Sequence, residues 1–106
     1  MGFFRFFRQP DINQGVKDYR NTAGALLLDV RTPREYREGH ISGSINVPLQ
    51  SIDNIEYVTD NKEKVLYVYC RSGVRSREAT GILRDMGFTD VRNIGGIEAY
   101  AGQVAR

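Results

Sequence analysis

Val65-Leu-Tyr-Val-Tyr-Cys70-Arg-Ser-Gly-Val-Arg-Ser-Arg-Glu-Ala-Thr-Gly-Ile-Leu-Arg-Asp-Met86 is the stretch whose reading decides the fold. Its first five residues form a nearly continuous apolar run, the pattern of a strand buried on both faces of a parallel sheet. After Cys70 and a short segment containing Gly73, the residues Ala79, Ile82, Leu83 and Met86 recur at i, i+3, i+4 and i+7. That spacing marks one face of a helix, and Gly87 offers its stop. A strand, a tight turn and a helix start, in that order, put Cys70 at the carboxyl end of a parallel strand. Open α/β sheets place their ligand crevice there.

Working outward, Leu26-Leu-Leu-Asp-Val30 reads as a second buried strand, with weaker strands at Ile45–Val47 and Val91–Ile94 and a stub at Ile12. Thr32-Pro33-Arg34-Glu35 supplies a capping threonine, a proline at the first helical position and a glutamate three residues after the cap, with Gly39 as the stop. A helix of about six residues follows from that. Lesser helices are expected around Gln14–Arg20, Ile52–Val58 and Glu98–Ala105. Strands alternating with helices predict an α/β fold in three layers, a central, mainly parallel sheet of about five short strands flanked by helices. No linker or repeat divides residues 1–106, which read as a single domain behind a Phe/Arg-rich lead-in at residues 1–10.

Composition excludes several function classes. The only cysteine and the only histidine of the 106 residues can form neither an intramolecular disulfide nor a Cys/His zinc cluster. No cofactor and no metal are expected. The net charge of +2 is too small to argue for nucleic acid. Its distribution says more, because 12 of the 15 basic residues are arginine and Arg71, Arg75 and Arg77 crowd around Cys70. Arginine presents a planar fork suited to oxyanions. Met1-Gly-Phe-Phe-Arg-Phe-Phe-Arg8 is broken by Arg5 and Arg8, so it makes neither a signal-peptide core nor a bilayer span. A cytoplasmic protein is expected, with these phenylalanines covering a core edge rather than tagging a membrane surface or a partner.

Cys70 is the candidate nucleophile. A helix N-terminus supplies unpaired N–H groups and partial positive charge, and nearby arginines add cationic potential, so the thiolate is favoured. Gly73 lets the turn bend until successive N–H groups of Arg71, Ser72, Gly73, Val74, Arg75 and Ser76 face inward as an anion cradle. A lone cysteine at a strand end is ordinarily core filler. The arginines, the glycine and the helix start that follow it argue for chemistry instead.

The segment Cys70–Ser76, with Leu28-Asp-Val-Arg-Thr-Pro-Arg-Glu-Tyr-Arg-Glu-Gly-His-Ile-Ser-Gly-Ser-Ile-Asn-Val-Pro48 upstream and Gly95-Gly96 downstream, resembles a single-domain rhodanese, a sulfurtransferase. The likeness runs from about Ile12 to Ala105 and implies the rhodanese-like version of the three-layer fold. It implies ping-pong transfer of a sulfane sulfur from thiosulfate or a related anion to cyanide or a thiol, a protein thiol included, through a Cys70 persulfide. The inward N–H groups of Arg71–Ser76 would stabilise that persulfide. Arg71 and Arg75 would attract the donor, and the place of His40 in the motif implies a hydrogen-bonded packing residue. The resemblance also singles out Asp29 and Arg31, at the end of the first strong strand, which would pair near the same face and orient the loop, and Gly95-Gly96, which would permit a tight turn beside it. The family often carries a tryptophan after the paired glycines, where this chain offers Tyr100. Cysteine phosphatases place their arginine six positions after the nucleophile, where this chain has Ser76, so phosphatase or arsenate reductase chemistry is the weaker reading. A sulfur-carrier or regulatory module without turnover is the alternative. With one cysteine, a persulfide would wait for an outside acceptor.

Overall fold

The computed structural model describes residues 9–106; the phenylalanines of Met1–Arg8 lie outside the described residues. Asp11 caps the first helix, α1 (Ile12–Arg20), its carboxylate accepting from the N–H groups of Asn13 and Gln14. Ile12, expected as a strand stub, is therefore the first turn of a helix. Then come β1 (Leu26–Asp29), α2 (Pro33–Glu38), β2 (His40–Ile41) and β3 (Ile45–Asn46). A 3₁₀ segment over Leu49–Tyr57, kinked at Ser51, leads into β4 (Val65–Cys70), α3 (Val74–Asp85) and β5 (Asp90–Gly96). A single 3₁₀ turn at Ile97–Ala99 and β6 (Val104–Ala105) complete the order.

The central sheet has four strands, all parallel, in the order β3-β1-β4-β5. Four strands stand where about five were expected because the fifth, the stub at Ile12, lies in α1; β2 pairs with β6, antiparallel, in a separate two-stranded ribbon. Neither strand of that ribbon has enough residues to show a pattern. The helix expected over Glu98–Ala105 is also absent. Gly102 interrupts it, seated where a Cβ would strike the Tyr100 ring, and Val104 pairs with Ile41. Around Ile52–Val58 the helix is 3₁₀ rather than α.

Alternation along the strands divides the core between two faces. Leu28, Leu66, Val68 and Cys70 join Ile55, Ala79, Leu83 and Phe88 on the α3 side. Leu27, Tyr67 and Tyr69 join Ile12, Val16, Ile41 and Ile94 on the α1 side. Gly15 lets α1 approach closely, since a Cβ there would overlap Ile94. Covering both faces explains why β1 up to Asp29 and β4 read as nearly continuous apolar runs. None of the described helices is long and apolar enough to cross a membrane.

Candidate functional site

The site is assembled at the carboxyl end of β4. Cys70 is its last residue, opposite Gly96 of β5, and the chain turns through Arg71–Gly73 into α3. Gly73 holds a φ of 105°, a left-handed conformation that suits glycine, and directs its N–H to Cys70 Sγ at 3.0 Å. Burial pushes the thiol pKa up. Hydrogen bonding from Ser76, Gly73 and Ser72 outweighs that effect, and the net direction is down. Hydrogen bonding rather than arginine charge therefore dominates the shift. The sulfur is enclosed: Cys70 is 1% exposed.

Gly96 makes the loop possible. A Cβ there would run into the Arg71 carbonyl and the Ser72 Cα, both backbone atoms that cannot swing aside. Gly96→Ala should therefore displace the loop and lower the rate of any Cys70 reaction at least about tenfold, a geometric misplacement of about 1 Å being sufficient. Alkylation kinetics check this, and an unchanged rate would contradict it.

Two of the three arginines near Cys70, Arg71 and Arg75, do not stand free. Arg75 makes two hydrogen bonds to Glu35 of α2, at 2.7 and 3.0 Å, and Arg71 faces Glu98 at 3.6 Å. Arg71 and Arg75, which the resemblance implies would attract an anionic donor, thus each have a carboxylate partner. Glu35 also receives the N–H and hydroxyl of Thr32, closing the capping box that the sequence announced. Its hydrogen bond to Arg75 is the main reason its pKa falls to about 2 from an ordinary 4.5. A depressed carboxylate pKa stabilises the fold above about pH 4.5, and the stabilisation disappears as pH falls toward about 2. Glu35→Gln keeps the cap and removes the charge. It should cost about 1 kcal/mol at neutral pH. The gap from wild type should close near pH 2 in denaturant titrations. A gap that persists in acid would argue against the ion pair.

Asp29 and Arg31 pair beneath this surface, Arg31 Nη2 to Asp29 Oδ2 at 2.7 Å, at 0% and 6% exposure. Arg31 also donates to the Gly39 carbonyl at 2.6 Å, tying the end of β1 to the turn after α2. His40 stacks on Tyr36, with ring centroids 3.7 Å apart, and its Nδ1 lies 2.8 Å from the Tyr36 carbonyl. Among the described residues, no group of three or more His, Cys, Asp or Glu side chains could hold a metal ion.

Three further residues shape the site without having been singled out for it. The Asn93 side chain accepts from the Ser76 hydroxyl at 2.7 Å and from the Gly95 N–H at 3.0 Å, beside an irregularity in the β4–β5 register. Asn46 donates to the carbonyls of Asp29 and Arg31. Glu98 donates its N–H to the Arg71 carbonyl at 3.2 Å. No short-range pattern marks any of the three.

Two recesses flank the loop, and Cys70 itself lines neither. The larger, about 680 Å³, lies against Ser72–Val74, Asn93 and Gly95–Gly96. The smaller, about 310 Å³, is lined by Arg31, Glu35, Glu38, Arg71 and Glu98 and holds the charged groups next to the loop.

A doubly covered parallel sheet with a cysteine cradled in the turn after a central strand defines the class, and the family comparison agrees. Residues 13–103 match the family model for the rhodanese-like domain, and the chain belongs to that family. It is 39% identical over 75 residues to the thiosulfate sulfurtransferase PspE of Escherichia coli, covering 70% of this chain and 72% of that one. It is 41% identical over 91 residues to thiosulfate sulfurtransferase 16, chloroplastic, of Arabidopsis thaliana, covering 74% and 76%. A solved structure described as rhodanese with anions from E. coli superposes with a TM-score of 0.72 at 35% identity, over 77% of this chain and 98% of that one. Several other relatives are longer, and this chain spans 22–28% of them.

Proposed function

We propose that this protein is a sulfurtransferase that carries a sulfane sulfur on Cys70. The observation that supports this most is the Gly73 N–H held 3.0 Å from Sγ, together with the Ser72 and Ser76 N–H groups that draw the thiol pKa down. The Cys70 thiolate attacks the outer sulfur of thiosulfate or a related donor. A new S–S bond forms to Sγ, and the bond to the sulfonate sulfur breaks with its electron pair leaving as sulfite. The loop Arg71, Ser72, Gly73, Val74, Arg75 and Ser76 then holds the persulfide anion through its N–H groups, as an oxyanion hole holds oxygen. Cyanide or a thiol, a protein thiol included, attacks the outer sulfur and restores the thiolate. Asp29, Arg31, His40 and Gly96 support the loop rather than touch the sulfur. A cytoplasmic setting, rich in small thiols, fits a site whose chain offers no second cysteine to resolve the persulfide.

Thiocyanate formation from thiosulfate and cyanide tests the reading. Double-reciprocal plots at several fixed cyanide concentrations should be parallel, the signature of a ping-pong scheme. Intersecting lines, or no turnover with any sulfane donor, would exclude it. One observation favours the second reading, a sulfur-carrier or docking module without turnover of its own: Cys70 is almost fully enclosed. That reading expects no catalytic thiocyanate release.

A further inference from the structure

Gly73 is the N-cap of α3, and as a glycine it has no side chain to bond the first N–H groups of the helix. A capping Ser, Thr, Asp or Asn would take the N–H two or three positions on, which here belong to Arg75 and Ser76. At this helix start the backbone of Ser76 instead hydrogen-bonds to the thiolate, together with that of Gly73 and Ser72. The cradle therefore stands on a helix start without the usual fastening.

Asn93 of β5 supplies one from outside the helix. Strand alternation puts it on the same face of β5 as Val91, which packs with Ala79 and Leu83 of α3. Its Oδ1 accepts from the Ser76 hydroxyl at 2.7 Å and from the Gly95 N–H at 3.0 Å, and its Nδ2 donates to the Gly73 carbonyl at 3.4 Å. One amide thus ties the turn and the first residues of α3 to β5 while using none of the N–H groups of Arg71–Ser76. A fastening that did use them would compete with the sulfur.

We infer that Asn93 is a positioning residue for Cys70: through Ser76 and Gly73 it holds the start of α3 so that the N–H groups of the turn stay aimed at the sulfur. This rests on the Cys70 nucleophile of the sulfur-transfer reading. The charged groups at this end of the sheet are Arg71 with Glu98, Arg75 with Glu35, Asp29 with Arg31, and Arg77 in the wall of the larger recess. A neutral substitution at Asn93 alters none of these charges.

The test is the pH dependence of Cys70 alkylation by iodoacetamide, a neutral reagent that reads the thiolate without sulfur chemistry. In Asn93→Ala the midpoint should rise by about one pH unit, the size of one hydrogen bond to a charged group. Losing Asn93 frees a single hydroxyl, which would lower the midpoint if it turned to the sulfur, but it also loosens several N–H donors, and the larger effect sets the sign. Asn93→Leu fills the space without polar atoms and should raise the midpoint equally; it carries the test if the alanine variant does not fold. Ser76→Ala should raise it too, and in that background Asn93→Ala should move it less than in wild type. A midpoint that stays or falls in a folded Asn93 variant, one restored by leucine, or strictly additive shifts would overturn the inference. Turnover does not enter the readout. A raised midpoint upholds the role of Asn93 even in a protein that transfers no sulfur, and active sulfur transfer with an unmoved midpoint overturns it.

Discussion

Cys70→Ser is expected to remove sulfur transfer, lowering kcat by at least about a thousandfold, because the attacking group disappears while the cradle around it stays. Serine fits the same space, and the N–H of Gly73 that points at the sulfur can donate to a hydroxyl. The variant should therefore remain folded. Its stability cost should be about 1–2 kcal/mol, the price of placing a hydroxyl among Val68, Leu66 and Ala79 on the α3 side of the sheet. Circular dichroism and thiocyanate formation, measured together, separate the two effects. A folded serine variant that still turned over would contradict the assignment of Cys70.

The largest expected loss of stability belongs to Arg31→Ala. Asp29 is fully buried, and its carboxylate accepts from the Arg31 backbone N–H and from Nε and Nη2 along one edge of the Arg31 guanidinium. Removing the guanidinium leaves a buried carboxylate with one donor and the Gly39 carbonyl with none from this side chain. Breaking a buried pair from one side costs about 3–5 kcal/mol. For a chain of this length each kcal/mol lowers Tm by roughly 4–8 °C, so melting should fall by more than about 10 °C. Asp29→Asn should also destabilise, because it leaves the buried Arg31 guanidinium without its carboxylate. Urea titrations that placed Arg31→Ala within about 0.5 kcal/mol of wild type would show that the pair contributes little.

How much of this was legible in the sequence follows from range. The β4–Cys70–α3 unit could be read from Val65–Met86 because its two periodicities and Gly73 are local. The capped helix α2 could be read from Thr32–Glu35 for the same reason. The β2–β6 ribbon could not, since His40 and Ala105 must find each other across the chain and neither strand has a pattern of its own. Ile12 was misread because Asp11, a capping residue, starts a helix where one β-branched residue looked like a strand end. At the site, the glycine and the cysteine were legible as backbone and thiol requirements. The partners Glu35, Asn93 and Glu98 were not, because each acts on a loop at least 17 residues away in sequence. Glu35 was visible only as a cap, and its second contact with Arg75 depends on how α2 lies against the loop. Of the three clustered arginines, Arg71 and Arg75 are paired with carboxylates in three dimensions, and Arg77 lines the larger recess.

The most direct measurement is the intact mass of the protein after incubation with thiosulfate and removal of excess donor. A gain of one sulfur atom is expected on wild type, lost on adding cyanide with thiocyanate released, and absent from Cys70→Ser. A wild-type mass that stays unchanged with thiosulfate and with methanethiosulfonate would contradict the central claim that Cys70 carries sulfur.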